Sequence, residues 1–470
     1  MIKFGTGGWR AFIAEEFTQD NVRIVAQALA DFIKADGKAG SEFIVGRDRR
    51  FLSDKASYWL CEVMAANGLQ VKLVDDAVPT PVVMFSVDKR QAPYGACITA
   101  SHNPADYNGI KVFTAGGRDA TEEVTTGLEA FIAKTTLADV KRISMAQGLA
   151  NGSIERINPM NDFLDSILAN TNVDVIRNAG LKVLVDPMFG VAKHSLLSVL
   201  YTARCHVDVI HERKDPDFGG RLPSPSAKTL KRLSDTVVER GYNLGIATDG
   251  DADRLGIIDD KGNYVHPNEI MALLYLYLVE YKKEQGGVVR NLATTHLLDN
   301  MAKAFGQECY EVPVGFKHIS AKMDEKNAVL GGESSGGLTI RGHIKGKDGI
   351  LAATMLVELV CASGKSLSQL LEEIYQRFGY VYTAEGDCTF AAEDKPKMLK
   401  RIFEDKEVPE LGYEVERVNY MDGMKIYFKN GGWVIARFSG TEPLLRLFAE
   451  MPSMSEAETV LEKIKAWLAV

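Results

Sequence analysis

Cysteine is scarce and scattered in this 470-residue chain: Cys61, Cys97, Cys205, Cys309, Cys361 and Cys388, with no C-x-x-C pair. That spacing suits neither a zinc site nor a disulfide framework, so all of them read as reduced core residues. Long apolar runs are missing as well. The longest, Ile270 to Leu278, is too short to span a bilayer. The start, MIKFGTGGWRAF, has no apolar signal core, so the expectation is a cytoplasmic protein with no membrane partner. There is no basic excess either. Lys+Arg number 55 against 63 Asp+Glu, a net charge of −8, which argues against a nucleic-acid surface and leaves any phosphate recognition to local clusters. No P-loop, low-complexity segment or short-period repeat occurs, and the glycine-rich Phe4–Arg10 stretch lacks the last glycine of a dinucleotide fingerprint.

What is present is ordinary globular material, 46% hydrophobic and 25% charged. The chain is too long for one core, and about three or four domains are expected from its length. Strand-like and helix-like segments alternate. Asn21–Lys34 has helical apolar spacing, Glu42–Val45 reads as a strand, Asp54–Asn67 as a helix and Gln70–Val74 as a strand. The alternation restarts near Met160 with Leu181–Val185, Ala192–Leu200, Val207–Ile210, Ala227–Arg240 and Asn243–Ala247. A third round opens with the hairpin Leu255–Val265, turned by Lys261-Gly262-Asn263, and continues through the helix Glu269–Tyr281. From about residue 380 the pattern becomes antiparallel strands with a final helix, Met454–Val470. The fold class expected is α/β: three successive mixed α/β domains (1–148, 149–254, 255–375) and a smaller C-terminal α+β domain (376–470).

Several short stretches could carry chemistry. In Thr99-Ala-Ser-His-Asn-Pro104 the proline stops regular structure and leaves Ser101 and His102 on a turn after a buried strand. Such a serine is ordinarily just a turn residue. Thr248-Asp-Gly-Asp-Ala-Asp-Arg254 sets three carboxylates at alternate positions after a strand. They repel one another unless a hard divalent cation lies between them, and Arg254 and Asp260 occupy positions that rule out an EF-hand. In Ala436-Arg-Phe-Ser-Gly-Thr-Glu-Pro443, followed by Arg446, a tight turn with hydroxyls and amides between arginines favours a phosphate dianion. Gly332-Glu-Ser-Ser-Gly336 matches the hydrolase elbow with Ser334 as nucleophile, but the following Gly337–Ile340 reads as extended rather than helical, so a loop offering Glu333 and Ser335 to sugar hydroxyls fits better. Lys317, in Val314-Gly-Phe-Lys-His318, is by itself an ordinary surface lysine.

Taken in order, TASHNP, DGDADR, the GE-S-S-G-G loop and RFSGTEP resemble the phosphoserine, metal, sugar and phosphate loops of the α-D-phosphohexomutases, the phosphoglucomutase/phosphomannomutase family, over the whole chain. The resemblance implies four domains around a central cleft. It implies an intramolecular phosphotransferase that interconverts hexose 1-phosphate and hexose 6-phosphate through a phosphoserine and a 1,6-bisphosphate. Glucose is ranked before mannose, and glucosamine third. Ser101 would carry the phosphoryl group and, with Asp249, Asp251 and Asp253, hold Mg2+; glucose 1,6-bisphosphate would be the activator and intermediate. Arg10, His102, Lys111 and Arg254 would surround the transferring phosphate. Lys317, Glu333 and Ser335 would meet the sugar, and Arg437, Ser439, Gly440, Thr441 and Arg446 would grip the distal phosphate. The partners implied are hexose phosphates, and the chain would act as monomer or homodimer. The family pattern is broken at Gly337, where several members carry a histidine. Proton transfer then falls to Lys111 or His102, with His343 as a substitute, and the glucosamine branch is disfavoured.

Overall fold

The computed structural model describes residues 2–5, 8–438 and 444–468. Local signals account for most of its elements. The helix Gln19–Ala35 starts where the Thr18 side chain accepts the Asn21 N–H, and its Val22, Val25, Ala26, Leu29 and Ile33 form one buried stripe. Strands rich in β-branched and aromatic residues assemble into four sheets.

The first sheet runs, in spatial order, Trp9–Phe12, Tyr107–Thr114, Tyr94–Ile98, Glu42–Arg47, Gln70–Val74, Ile154–Ile157, with Arg118–Asp119 paired to Tyr107–Thr114. The second runs Tyr264–Val265, Leu255–Ile258, Leu244–Thr248, Lys182–Asp186, His206–Val209. The third runs Cys309–Val312, Val288–Asn291, Leu330–Gly332, Leu338–Ile340. One pattern recurs in all of these. A strand parallel to one neighbour is followed by a short loop and an antiparallel return: Tyr94–Ile98 into Tyr107–Thr114, Leu244–Thr248 into Leu255–Ile258, and Leu330–Gly332 into Leu338–Ile340. The loops at 99–106, 249–254 and 333–337 therefore leave the carboxyl ends of the strands where sheet direction switches, the place where open α/β sheets take ligands.

The fourth sheet is wholly antiparallel, in the order Tyr382–Thr389, Leu444–Met451, Trp433–Phe438, Met424–Phe428, Val415–Asn419, and the helix Met454–Leu468 covers it. A continuous apolar core joins the three α/β units, from Ile44 and Phe163 to Leu273 and Leu356. The C-terminal unit has its own core and meets the third unit through Leu292, Ala293, Tyr427, Trp433 and Ile435.

Two of the expected limits cut through sheets. Ile154–Ile157 pairs with Gln70–Val74 and so completes the first sheet rather than opening a second unit at 149. The hairpin Leu255–Val265 hydrogen-bonds to Leu244–Thr248 and belongs to the second sheet, not to a third unit from 255. Alternation identifies a strand, but the choice of neighbour is a long-range matter that local pattern does not encode. The helix expected from Ala227 starts only at Lys231, because Ser226 and Thr229 bond each other and hold a turn. No single described helix is long and apolar enough to cross a membrane.

Candidate active site

The turn after Tyr94–Ile98 holds Ser101 at φ +54°, a left-handed conformation unusual for a residue with a side chain. Its N–H donates to Thr99 Oγ1 at 2.8 Å, and Thr99 in turn donates to Asp48 Oδ2 at 2.7 Å. Arg50 closes the loop. Its guanidinium donates to four carbonyls, those of Ser101 (2.7 Å), Asn103 (2.6 Å), Pro104 (2.6 Å) and Tyr107 (3.0 Å), and it stacks on Phe218 of the second unit. The loop is thereby clamped in one shape, with the Ser101 hydroxyl donating to Asp249 Oδ2 at 2.8 Å.

Asp249, Asp251 and Asp253 are all buried, and each offers an oxygen within 4.8 Å of the others. Lys111 crosses from the first sheet to donate to Asp251 Oδ2 (2.7 Å) and Asp253 Oδ2 (2.6 Å), while Thr80 Oγ1 donates to Asp251 Oδ2 (2.7 Å). Asp251 Oδ1 and Asp253 Oδ1 are buried with no hydrogen-bond partner among the described residues. Unsatisfied buried carboxylate oxygens are costly, and these fit a hard cation, whose oxygen-only donor set they would supply with the Ser101 oxygen beside them.

Electrostatics follow from crowding. Burial and the charges of Asp251 and Asp253 push the Asp249 carboxyl well above the usual range. Burial opposes charge on Asp253 too, but Lys111, Lys347 and Arg254 outweigh it and hold it low. Burial likewise opposes the Lys111 ammonium, yet Asp251 and Asp253 raise its pKa, so it stays protonated. His102 is pushed the other way, by burial and by Arg254 and Arg10, and remains neutral, its buried Nδ1 without a partner among the described residues. Arg10 itself is half-buried, its guanidinium close to Arg254, and donates to Asn103 Oδ1 at 2.9 Å. Ser101, His102, Lys111, Arg10, Arg254 and the three aspartates therefore share one locale at the junction of the first two units.

The 333–337 loop turns within a hairpin, not from strand into helix, so the Ser334 nucleophile elbow is not formed. Glu333 is buried and its Oε1 accepts from Asn291 Nδ2 (3.1 Å) and Gly315 N–H (3.0 Å); Ser335 is exposed. Lys317 reaches across to Glu122 of the first unit, Nζ to Oε2 3.4 Å. Arg437 and Arg446 face each other in register on adjacent strands. Like charges so placed repel, which favours an anion there, and Asp422 already accepts from Arg437 Nε at 2.8 Å. Ser439, Gly440 and Thr441 lie outside the described residues.

His343 does not serve as the substitute for a histidine at 337. Its Nε2 is bonded to Asp348 Oδ2 at 2.7 Å, with both side chains buried, and Asp348 caps the helix Gly349–Ser363. The space at 337 is instead filled by Lys347: a Cβ on Gly337 would stand 2.3 Å from Lys347 Cδ. Lys347 Nζ lies 3.3 Å from Asp253 Oδ2. Sequence reasoning missed Arg50 and Lys347. The signals were a second arginine after the Glu42–Arg47 strand, and a glycine where a side chain was anticipated.

Comparison with known proteins agrees in every unit. Models of the family "Phosphoglucomutase/phosphomannomutase" match the chain in order: alpha/beta/alpha domain I at residues 1–139, domain II at 161–262, domain III at 266–378, and the C-terminal domain at 388–466. A phosphoglucomutase/phosphomannomutase of Thermococcus kodakarensis is 30% identical, covering 98% of this chain and 96% of its own. A phosphoglucosamine mutase of Acetivibrio thermocellus is 31% identical, covering 95% and 94%. The crystal structure of a phosphomannomutase-like protein of Thermus thermophilus superposes with a TM-score of 0.87 at 28% identity, covering 100% of this chain and 99% of that one.

Proposed function

Given that the chain belongs to the phosphoglucomutase/phosphomannomutase family and is a phosphohexomutase, we propose that it interconverts glucose 1-phosphate and glucose 6-phosphate in the cytoplasm, with Ser101 as phosphoryl carrier. The observation that carries the reading is the Ser101 hydroxyl, held by a clamped, left-handed turn 2.8 Å from Asp249 in a nest of buried carboxylates.

The oxygens on C1 and C6 of a hexose lie too far apart for a direct transfer. A phosphoserine at 101 removes that difficulty. The free hydroxyl of a bound monophosphate attacks the phosphorus, the bond to Ser101 Oγ breaks, and a bond to the sugar oxygen forms, giving glucose 1,6-bisphosphate. After the bisphosphate turns round, Ser101 Oγ takes the other phosphoryl group by the reverse step. Mg2+ at Asp249, Asp251 and Asp253 would supply charge neutralisation to the phosphoryl group. Lys111, held protonated, and Arg10 and Arg254 at the rim add positive charge around it. His102, held neutral and with no partner for Nδ1 among the described residues, is the group assigned to accept the proton of the attacking hydroxyl. Glu333, fixed by two donors, and the exposed Ser335 suit adjacent sugar hydroxyls that exchange places when the sugar reverses. Arg437 and Arg446, with Ser439, Gly440 and Thr441, suit the phosphate that is not reacting. Lys317 would approach the sugar once freed from Glu122. Mannose differs only in the configuration at C2 and is the second reading; both phosphomannomutase and phosphoglucosamine mutase occur among the names of the relatives.

The test is a coupled assay of both directions with trace 1,6-bisphosphate, and kcat/KM for glucose, mannose and glucosamine phosphates side by side. Ser101→Ala is expected to lose at least about 10⁴-fold in turnover while still binding glucose 6-phosphate by calorimetry. Undiminished turnover in that variant sinks the carrier role, and a higher kcat/KM on mannose phosphates moves the sugar assignment.

A further inference from the structure

The phosphate clamp and the sugar loop sit in different units, yet they are tied to neighbouring amides of one turn. Val314 N–H donates to Asp422 Oδ2 at 3.0 Å, and the next amide, Gly315 N–H, donates to Glu333 Oε1 at 3.0 Å. Asp422 Oδ2 also accepts from Arg437 Nε at 2.8 Å. A continuous path of hydrogen bonds and one peptide unit therefore runs from Arg437 through Asp422, Val314 and Gly315 to Glu333. The turn depends on glycine, since Gly315 has φ +128°, a conformation strained for any residue with a Cβ. Across the strand pair Arg437 faces Arg446, so without an anionic partner its guanidinium would swing out to relieve repulsion. Asp422 is only partly exposed, as is Arg437, at 24% and 17% of their side chains, so this ion pair is screened less than a free surface pair.

We propose that Asp422 is a positioning residue that couples the two recognition loops. It holds the Arg437 guanidinium by Nε, and it pins the C-terminal unit to the 314–315 turn that also holds Glu333. The grip on the distal phosphate and the placement of the carboxylate against the sugar are then one event rather than two. This rests on reading Arg437 as a phosphate ligand. Charge and reach assign Asp422 to this work through Arg437 and Val314; it need not touch the sugar phosphate.

The experiment compares Asp422→Ala, Asp422→Asn, Glu333→Gln, the double variant Asp422→Ala/Glu333→Gln and Arg437→Ala in the full chain. It measures kcat, KM for glucose 1-phosphate, inhibition by inorganic phosphate, and thermal midpoint. Asp422→Ala is expected to raise KM about 10-fold or more with kcat changed less than about 3-fold, a loss of binding shared by ground and transition states. Asp422→Asn keeps an oxygen for both donors and should recover most of that loss. The double variant should fall short of the product of the single effects on KM by at least about 5-fold, the mark of coupled sites. Multiplicative effects, a failure of asparagine to rescue, or a change confined to the thermal midpoint would each overturn the inference. If Arg437→Ala leaves KM and phosphate inhibition unchanged, the clamp reading falls and the coupling with it. If Arg437→Ala raises KM and Asp422→Ala does not, only the coupling falls.

Discussion

Two clusters of buried charge stand at junctions between units, and they are satisfied to very different degrees. Where the first and second units meet, Lys111 and three aspartates crowd together, yet Asp251 Oδ1, Asp253 Oδ1, His102 Nδ1 and Arg254 Nε are buried without partners among the described residues. Backbone strain gathers there too, with Ser101 at φ +54° and Ala252 at φ +61°. Where the third and fourth units meet, charge is just as dense but its valences are closed. Lys425, fully buried, donates to Leu292 O (2.7 Å) and Glu311 Oε2 (2.7 Å), lies 3.0 Å from His296 Nε2, and stacks on Trp433. Arg290 bonds Asp299 and Glu311, and Glu450 accepts from Trp433 Nε1 and His296 N–H. Open valences in a buried cluster leave room for an ion, a phosphate and a moving proton. Closed ones fix one unit against another.

Altering one open valence should have the greatest consequence. Asp251→Asn removes charge from a carboxylate that holds Lys111 and has a free oxygen. It is expected to cost at least about 10³-fold in kcat/KM, on the scale of a lost electrostatic stabiliser. Chelation of the wild type should be as severe and should reverse on adding Mg2+. The thermal stabilisation that Mg2+ gives the wild type should vanish in the variant. A variant with normal turnover, or turnover indifferent to chelator, would show that these oxygens are merely structural.

The closed cluster should answer in stability rather than in rate. Lys425→Met leaves the half-buried Glu311 with fewer donors, and breaking a buried ion pair from one side costs up to about 3–5 kcal/mol. Denaturant unfolding should show that loss. At temperatures where the variant is folded, kcat should stay within about 10-fold of wild type, since Lys425 bonds only groups of the junction. A large fall in kcat with unchanged stability would erase the distinction between the junctions.

The open cluster was far more legible in the sequence than the closed one, and for a physical reason. Chemistry here is packed into short turns: Ser101 and His102 are adjacent, and the aspartates alternate over five residues, Asp249 to Asp253. Those side chains stand together before any fold is known. Arg50 reaches Ser101 from 51 positions away, and Lys425 meets Glu311 from 114 positions away. Such pairs exist only once the chain has closed, so no local spacing announces them. The same holds for sheets. Met424–Phe428 and Gln70–Val74 are visible as strands, but nothing within Leu255–Val265 says that it continues the second sheet rather than opening a third. Gly337 was the exception in which an absence pointed at a long-range partner, since the room it leaves is taken by Lys347.

The smallest expected effect tests the closed junction by pH. Burial, with Arg290 and Lys425 close by, lowers the His296 pKa from its ordinary 6.5 to about 4. The folded protein therefore resists protonation that the unfolded chain accepts freely. Below pH 6.5 the unfolded state binds more protons at this residue, so stability falls as pH drops, and the loss is complete near the folded value. Between pH 7 and pH 5 this amounts to about 2 kcal/mol, from 1.36 kcal/mol for each pH unit within the window. His296→Gln cannot titrate, so the stability gap between wild type and variant should narrow by about that amount over the same interval. Denaturation midpoints of the two proteins at pH 7, 6 and 5 measure it. A gap independent of pH would mean that His296 takes up a proton as readily in the folded protein as in the unfolded chain, and a gap that widens towards pH 5 would mean that the folded cluster favours the charged ring; either result shows that the junction fixing the C-terminal unit is not closed to protons.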